Sequence, residues 1–170
     1  MPEKTAIQLL NRTETLQKIR RIAFEIYEQN FEEKEIIIAG INGEGYHFAE
    51  ILVKELREIS KIKILIAKLS FDKNSTQQPD IQIVSDVETF KNKCIILTDD
   101  VLNTGKSLAF SLHPFLSIPI KKMQVAVIVD RNYPRFPISA NFVGYTLSTT
   151  LNEYIQVVLS DEEKIGVYIF

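Results

Sequence analysis

The sequence has a single cysteine, Cys94, and only two histidines, His47 and His113. One thiol cannot close an internal disulfide, and no cysteine–histidine group has zinc-ligand spacing. Cys94 stands inside an apolar run, where a thiol reads as a small buried hydrophobe rather than a nucleophile. An excess of charge of one sign is also lacking: 20 Lys and Arg face 22 Asp and Glu, a net charge of -2. The whole molecule therefore has no electrostatic bias toward nucleic acid, although a local basic face stays open. No apolar run reaches membrane-spanning length, and the polar start Met1-Pro2-Glu3-Lys4 leads into an amphipathic segment without a signal-peptide block. The expected location is the cytoplasm. Internal repeats and low-complexity segments are missing too. What remains is the length and composition of one domain, residues 1–170, with one sizeable core.

Periodicity supplies the elements. In residues 11–30, Leu16, Ile19, Ile22, Ala23, Ile26 and Tyr27 recur at helical spacing, with Thr13 or Thr15 as the expected cap. Residues 35–40 are a β-branched run, hence a buried strand. Gly43 and Gly45 punctuate a turn before a helix over 46–58. Strands follow at 62–69, 81–84 and 93–98, then a helix at 107–116 and a strand at 123–129. Residues 70–78 form a polar, mobile loop, and short β segments close the chain at 142–144, 154–159 and 165–170. This order predicts an α/β fold with a mainly parallel sheet flanked by helices. Such sheets bind ligands beyond the carboxyl ends of their strands. Three loops leave such ends, at 42–46, 99–107 and 130–135.

The loop at 99–107 carries the most chemistry. Asp99 and Asp100 follow an apolar strand, and Thr104-Gly105-Lys106-Ser107 opens a helix. A strand-to-helix turn of this kind gathers backbone N–H groups into an anion site that suits a phosphate. Thr104 and Ser107 add hydroxyls, Gly105 lets the backbone approach, and Lys106 can supply charge. Two carboxylates would repel that phosphate, so they suit a hydroxylated group such as ribose, or a metal. A capped helix beside two solvated aspartates is the plain alternative. The tail Gly105-Lys106-Ser107 matches a Walker A loop, but that pattern needs a glycine where Asp100 stands.

The run Cys94-Ile95-Ile96-Leu97-Thr98-Asp99-Asp100-Val101-Leu102-Asn103-Thr104-Gly105-Lys106-Ser107 resembles the phosphoribosyl-pyrophosphate signature of type I phosphoribosyltransferases. Val127-Ile128-Val129-Asp130-Arg131, Phe136-Pro137-Ile138, Phe142-Val143-Gly144 and the helix at 19–26 are similar to the bifunctional pyrimidine-operon attenuator and uracil phosphoribosyltransferase branch. The resemblance implies a core parallel sheet under a small C-terminal β-rich hood. It implies transfer of ribose 5-phosphate from phosphoribosyl pyrophosphate to a nucleobase, a pyrimidine such as uracil, with Mg²⁺ as cofactor. A nucleotide-binding regulator without turnover is the alternative, and an RNA-binding attenuator stands behind both. Asp99 and Asp100 would hold the ribose hydroxyls and assist the anomeric carbon. Asn103, Thr104, Gly105, Lys106 and Ser107 would cradle the 5-phosphate. Ile41, Asn42, Gly43, Glu44 and Gly45 would contact pyrophosphate. Asp130, Arg131, Phe142, Val143, Gly144 and Tyr145 would line the base site, and residues 70–78 would form the lid. The resemblance also implies a dimer or larger assembly.

Several positions depart from that pattern. Arginines are usual in the pyrophosphate loop, where Asn42 and Glu44 stand. Glu44 is expected to point to solvent in preference to bridging Mg²⁺. Lys73 replaces an expected lid arginine as a point charge without the bidentate fork. Tyr145 stands where a base-site lysine is expected, and Phe24 where a helix histidine is usual. Arg12, Lys18, Arg20 and Arg21 share their helix with Glu14, Glu25 and Glu28, which reads as a solvated mixed face rather than an RNA surface. His47 reads as a surface residue and His113 as structural, while Tyr133, Arg135 and Phe136 are candidates for a subunit contact.

Overall fold

The computed structural model describes residues 5–170, so the polar start at 1–4 lies outside the described residues. Strand β1 (Ile7–Leu10) precedes helix α1 (Arg12–Asn30). Asn11, rather than either threonine, caps α1. Its side chain accepts the Glu14 N–H at 2.9 Å while the Glu14 carboxylate accepts the Asn11 N–H at 2.8 Å. Thr15 is instead buried, donating its hydroxyl to the Asn11 carbonyl at 2.8 Å.

The main sheet contains β2 (Glu35–Ile41), β3 (Lys63–Ser70), β4 (Gln82–Val84), β5 (Cys94–Leu102), β6 (Lys122–Asp130) and β7 (Phe142–Thr146). Its order is β4-β3-β2-β5-β6-β7, parallel throughout except for edge strand β4. Strands β2 and β5 are apolar because helices cover both faces. One apolar layer joins Ile19, Ile22 and Ile26 of α1 to Phe48, Leu52 and Leu56 of α2 (Glu44–Ile59). The other joins Ile37, Ile95 and Val127 to Leu108 of α3 (Lys106–Leu112) and to Phe90 and Phe115. Helix α3 stops earlier than its apolar pattern predicts. Pro114 has no N–H to continue the ladder, and the chain tightens into a 3₁₀ turn at His113–Phe115.

A second, antiparallel sheet of order β1-β9-β8 forms the hood, from β1, β8 (Ile155–Val158) and β9 (Gly166–Ile169). The hood is therefore not purely C-terminal, since β1 supplies one edge. Ile7 and Gln8 of β1 are exposed, which hid the strand from a search for apolar periodicity. The segment at 142–144, expected in the hood, belongs to β7 and extends the main sheet beside β6.

Candidate active site

Strands β2 and β5 are neighbours, but the chain leaves them in opposite directions across the sheet. Connections splay apart at such a switch point and open a crevice at the carboxyl ends. The pairing of β2 with β5 ends at Gly40 and Thr98, while β5 runs on to Leu102 beside β6. Asp99 and Asp100 therefore sit within the strand, past the end of one neighbour, rather than on the loop after it.

Asp99 is buried at 4% exposure. Its Oδ1 accepts the Asp100 N–H at 3.0 Å and lies 3.2 Å from the Lys73 ammonium. Loss of water around Asp99 pushes its carboxyl up to about 8, and the adjacent Asp100 charge pushes the same way. Lys73 pulls downward and is outweighed. Gly45 makes this position possible. A Cβ there would stand 2.8 Å from the Asp99 carboxylate and 3.0 Å from its Cα. The Gly45 carbonyl accepts the Thr98 hydroxyl at 3.0 Å, fixing the start of α2 against β5.

The phosphate turn follows β5. Gly105 adopts φ 86°, and a Cβ there would meet Ile138 at 3.2 Å. The Thr104 carbonyl accepts the N–H groups of Arg135 and Phe136, both at 2.9 Å. The Thr104 hydroxyl accepts the Lys106 N–H at 3.3 Å. Asn103, Thr104, Gly105, Lys106 and Ser107 line a shallow cavity of about 50 Å³ together with Asp99. Lys106 turns its ammonium over the Phe110 ring, 5.5 Å from the centroid. Its charge thus lies along α3 instead of inside the turn.

The pyrophosphate loop differs more from expectation. Ile41 is fully buried, so its side chain belongs to the core. Gly43 adopts φ 88° and is the N-cap of α2. The Asn42 side chain accepts the Phe71 N–H at 3.4 Å, tying the loop to the base of the lid. Glu44 does not face solvent. Its carboxylate accepts the N–H groups of Leu159 and Ser160 at 2.7 and 3.1 Å and the Ser160 hydroxyl at 2.5 Å. The segment at 70–78 is tied down at two points, with Lys73 on Asp99 and the Gln78 amide donating to the Phe110 carbonyl at 3.3 Å.

On the base side, Arg131 donates to the Thr149 hydroxyl, to the Thr150 carbonyl at 3.1 Å and to the Asn103 side chain at 3.3 Å. The Asp130 carboxylate accepts the Asn132 N–H at 2.8 Å and shapes the turn that follows. Phe142 and Val143 send their side chains into the two apolar layers. Gly144 packs so closely on β6 that a Cβ would come within 2.6 Å of the Ile128 carbonyl. The carbonyls of Val143 and Gly144 accept from Arg21 at 3.0 and 2.8 Å. These three are therefore built into β7, with their side chains in the apolar layers or absent. Tyr145 stands nearer the carboxyl end of β7. Thr149, Thr150, Leu159 and Ser160 were not legible in the sequence, because each acts through a partner distant along the chain.

No group of three or more His, Cys, Asp or Glu is placed to hold a metal ion among the described residues. Asp100, partly exposed beside buried Asp99, is the carboxylate with room for one. That arrangement fits Mg²⁺, which keeps most of its shell from water and phosphate oxygens.

A family profile for the phosphoribosyl transferase domain matches residues 6–163. The chain belongs to the type I phosphoribosyltransferase family. Its relatives include the bifunctional protein PyrR of Latilactobacillus sakei, 31% identical over 159 residues, covering 88% of this chain and 89% of that protein. The bifunctional protein PyrR of Haemophilus ducreyi is 33% identical over 153 residues, covering 85% and 86%. A hypoxanthine phosphoribosyltransferase from Staphylococcus aureus shares the fold with a TM-score of 0.76 at 18% identity, over 95% of this chain and 90% of that one.

Proposed function

We propose that this phosphoribosyltransferase moves ribose 5-phosphate from phosphoribosyl pyrophosphate to a nucleobase, a pyrimidine such as uracil. The observation that carries the reading is Asp99: a carboxyl buried at the switch-point crevice, with the phosphate turn immediately beyond it. The PyrR relatives support a pyrimidine, as their name ties them to that branch.

The turn at 103–107 seats the 5-phosphate through backbone N–H groups and the Thr104 and Ser107 hydroxyls. Seating it brings the ribose under Asp99 and Asp100, which accept its hydroxyls. As the bond to pyrophosphate lengthens, the anomeric carbon gains positive charge, and the Asp100 carboxylate beside Asp99 stabilises it. Asp100 would be the residue to hold Mg²⁺ together with the diphosphate, and the ion would supply charge neutralisation on the leaving group. The lid excludes water, so the developing cation is captured by the base rather than hydrolysed. Lys73 must leave Asp99 for the ribose to enter, and its ammonium is then free for the diphosphate.

A second reading, ligand binding without turnover, is favoured by one observation. The pyrophosphate loop contributes no side-chain cation, and Glu44 is committed to the hood. An RNA surface on α1 gains no such support, since Arg12, Arg20 and Arg21 are paired with Glu162, Glu55 and Glu25. Incubation with phosphoribosyl pyrophosphate, Mg²⁺ and a panel of bases separates the first two readings. The expected product is uridine 5'-monophosphate from uracil, lost in Asp99→Asn. Tight nucleotide binding with no product from any base favours the second reading.

A further inference from the structure

Two polar clasps flank strand β8 of the hood, and each grips one half of the candidate site. In the connection that leads from β7 to β8, Arg131 bonds Thr149 and Thr150 while reaching Asn103 of the phosphate turn. Just after β8, Glu44 bonds Leu159 and Ser160 three times. Glu44 opens α2 directly after the pyrophosphate loop. A carboxylate accepting two backbone N–H groups and a hydroxyl is held in one place. Between the clasps, Ile155 and Val157 of β8 share an apolar cluster with Val101, which adjoins the acid pair. The hood thus rests on the strand that carries the site, and its seat depends on Glu44.

We propose that Glu44 is a positioning residue that clasps the hood to the pyrophosphate loop, so that base-bearing ligands, but not the sugar phosphate alone, depend on it. This rests on reading the site as a phosphoribosyl site. The phosphate turn is built from β5, α3 and the loop at 135–136, none of which bonds Glu44. Ribose 5-phosphate needs only that turn and the acid pair. A nucleoside monophosphate carries a base beyond the ribose, where the hood must close. Alanine at position 44 removes all three acceptors, whereas glutamine can keep the clasp, its amide oxygen accepting the two N–H groups and its NH₂ donating to the Ser160 hydroxyl.

The test uses the full chain, with ribose 5-phosphate and uridine 5'-monophosphate as probes in calorimetry and amide hydrogen exchange as a second readout. In Glu44→Ala, exchange at Leu159 and Ser160 rises by about tenfold, nucleotide affinity falls by about tenfold, and ribose 5-phosphate affinity holds within about twofold, while Glu44→Gln stays close to the parent. Ser160→Ala, which removes one of the three bonds, shows the same split in smaller measure. Equal losses for both probes would mean that Glu44 merely supports the fold, and would overturn the clasp. Unchanged nucleotide affinity in Glu44→Ala overturns it as well. A native chain that binds no ribose 5-phosphate overturns the phosphoribosyl reading itself, and the clasp with it.

Discussion

At the residue scale, Asp99 concentrates the conflict between stability and function. Burial raises its carboxyl to about 8 from an ordinary 3.8. The folded chain therefore binds a proton that the unfolded chain has released through most of the range between. Asp99 does not penalise folding below about pH 4, where both states are protonated. Its cost grows as pH rises toward 8, at no more than about 1.4 kcal/mol per pH unit, and levels off above. Asp99→Asn keeps a neutral polar group in the same place. Urea denaturation should find the variant more stable than the parent at pH 8.5, with the gap closing toward pH 4, while transfer activity is lost. A gap that is constant with pH would contradict a buried, protonated Asp99. Gly45 belongs to the same conflict, because its missing side chain is the space the carboxylate occupies.

At the element scale, α1 and β5 show two ways in which local signals fall short. The apolar spacing of α1 marks the helix but not its cap, which is Asn11. Asn11 and Glu14 form a reciprocal pair, and only the backbone path shows which of several polar residues closes it. Asn11→Ala should lower unfolding free energy by about 0.5–2 kcal/mol in urea titration, leaving nucleotide affinity intact. Strand β5 was cut short at Thr98 because two aspartates look like the start of a loop. They stay in the strand because β6 continues to pair with it, Asp99 opposite Val127 and Val101 opposite Val129. The segment at 70–78 illustrates the reverse case: its polar composition marks a loop, and Lys73 and Gln78 tie that loop to Asp99 and Phe110.

At the scale of the whole molecule, the hood is a bridge. It ties the first strand of the chain to the last, since β1 pairs with β9 and β9 with β8. Arg131 joins this bridge to the phosphate turn through Asn103, Thr149 and Thr150. Arg131→Ala should raise hydrogen exchange across residues 147–150 and weaken nucleotide binding by roughly 5- to 100-fold, the equivalent of about 1–3 kcal/mol for groups left unpaired. Calorimetry checks this directly, and an unchanged affinity would remove Arg131 from the ligand-side framework. The glycines of β7 and β9 serve the same architecture. Gly144 and Gly166 lie where a Cβ would strike the carbonyls of Ile128 and Leu10.

The sequence by itself determined the alternation of strands and helices, the parallel sheet and the loop that carries the acid pair. Periods of two and 3.6, apolar runs and a turn glycine are local signals, readable within a window of a few residues. The tertiary structure alone decided what the charged and polar groups do. Glu44 and Ser160 are 116 residues apart, and nothing near either one announces the partner. Phe142, Val143 and Gly144 read as a binding motif, and only the folded chain shows their register with β6 and the reach of Arg21 to the Val143 and Gly144 carbonyls. Hydrogen bonds and burial depend on which distant segments the fold brings together, so their chemistry becomes visible only once the chain has closed on itself.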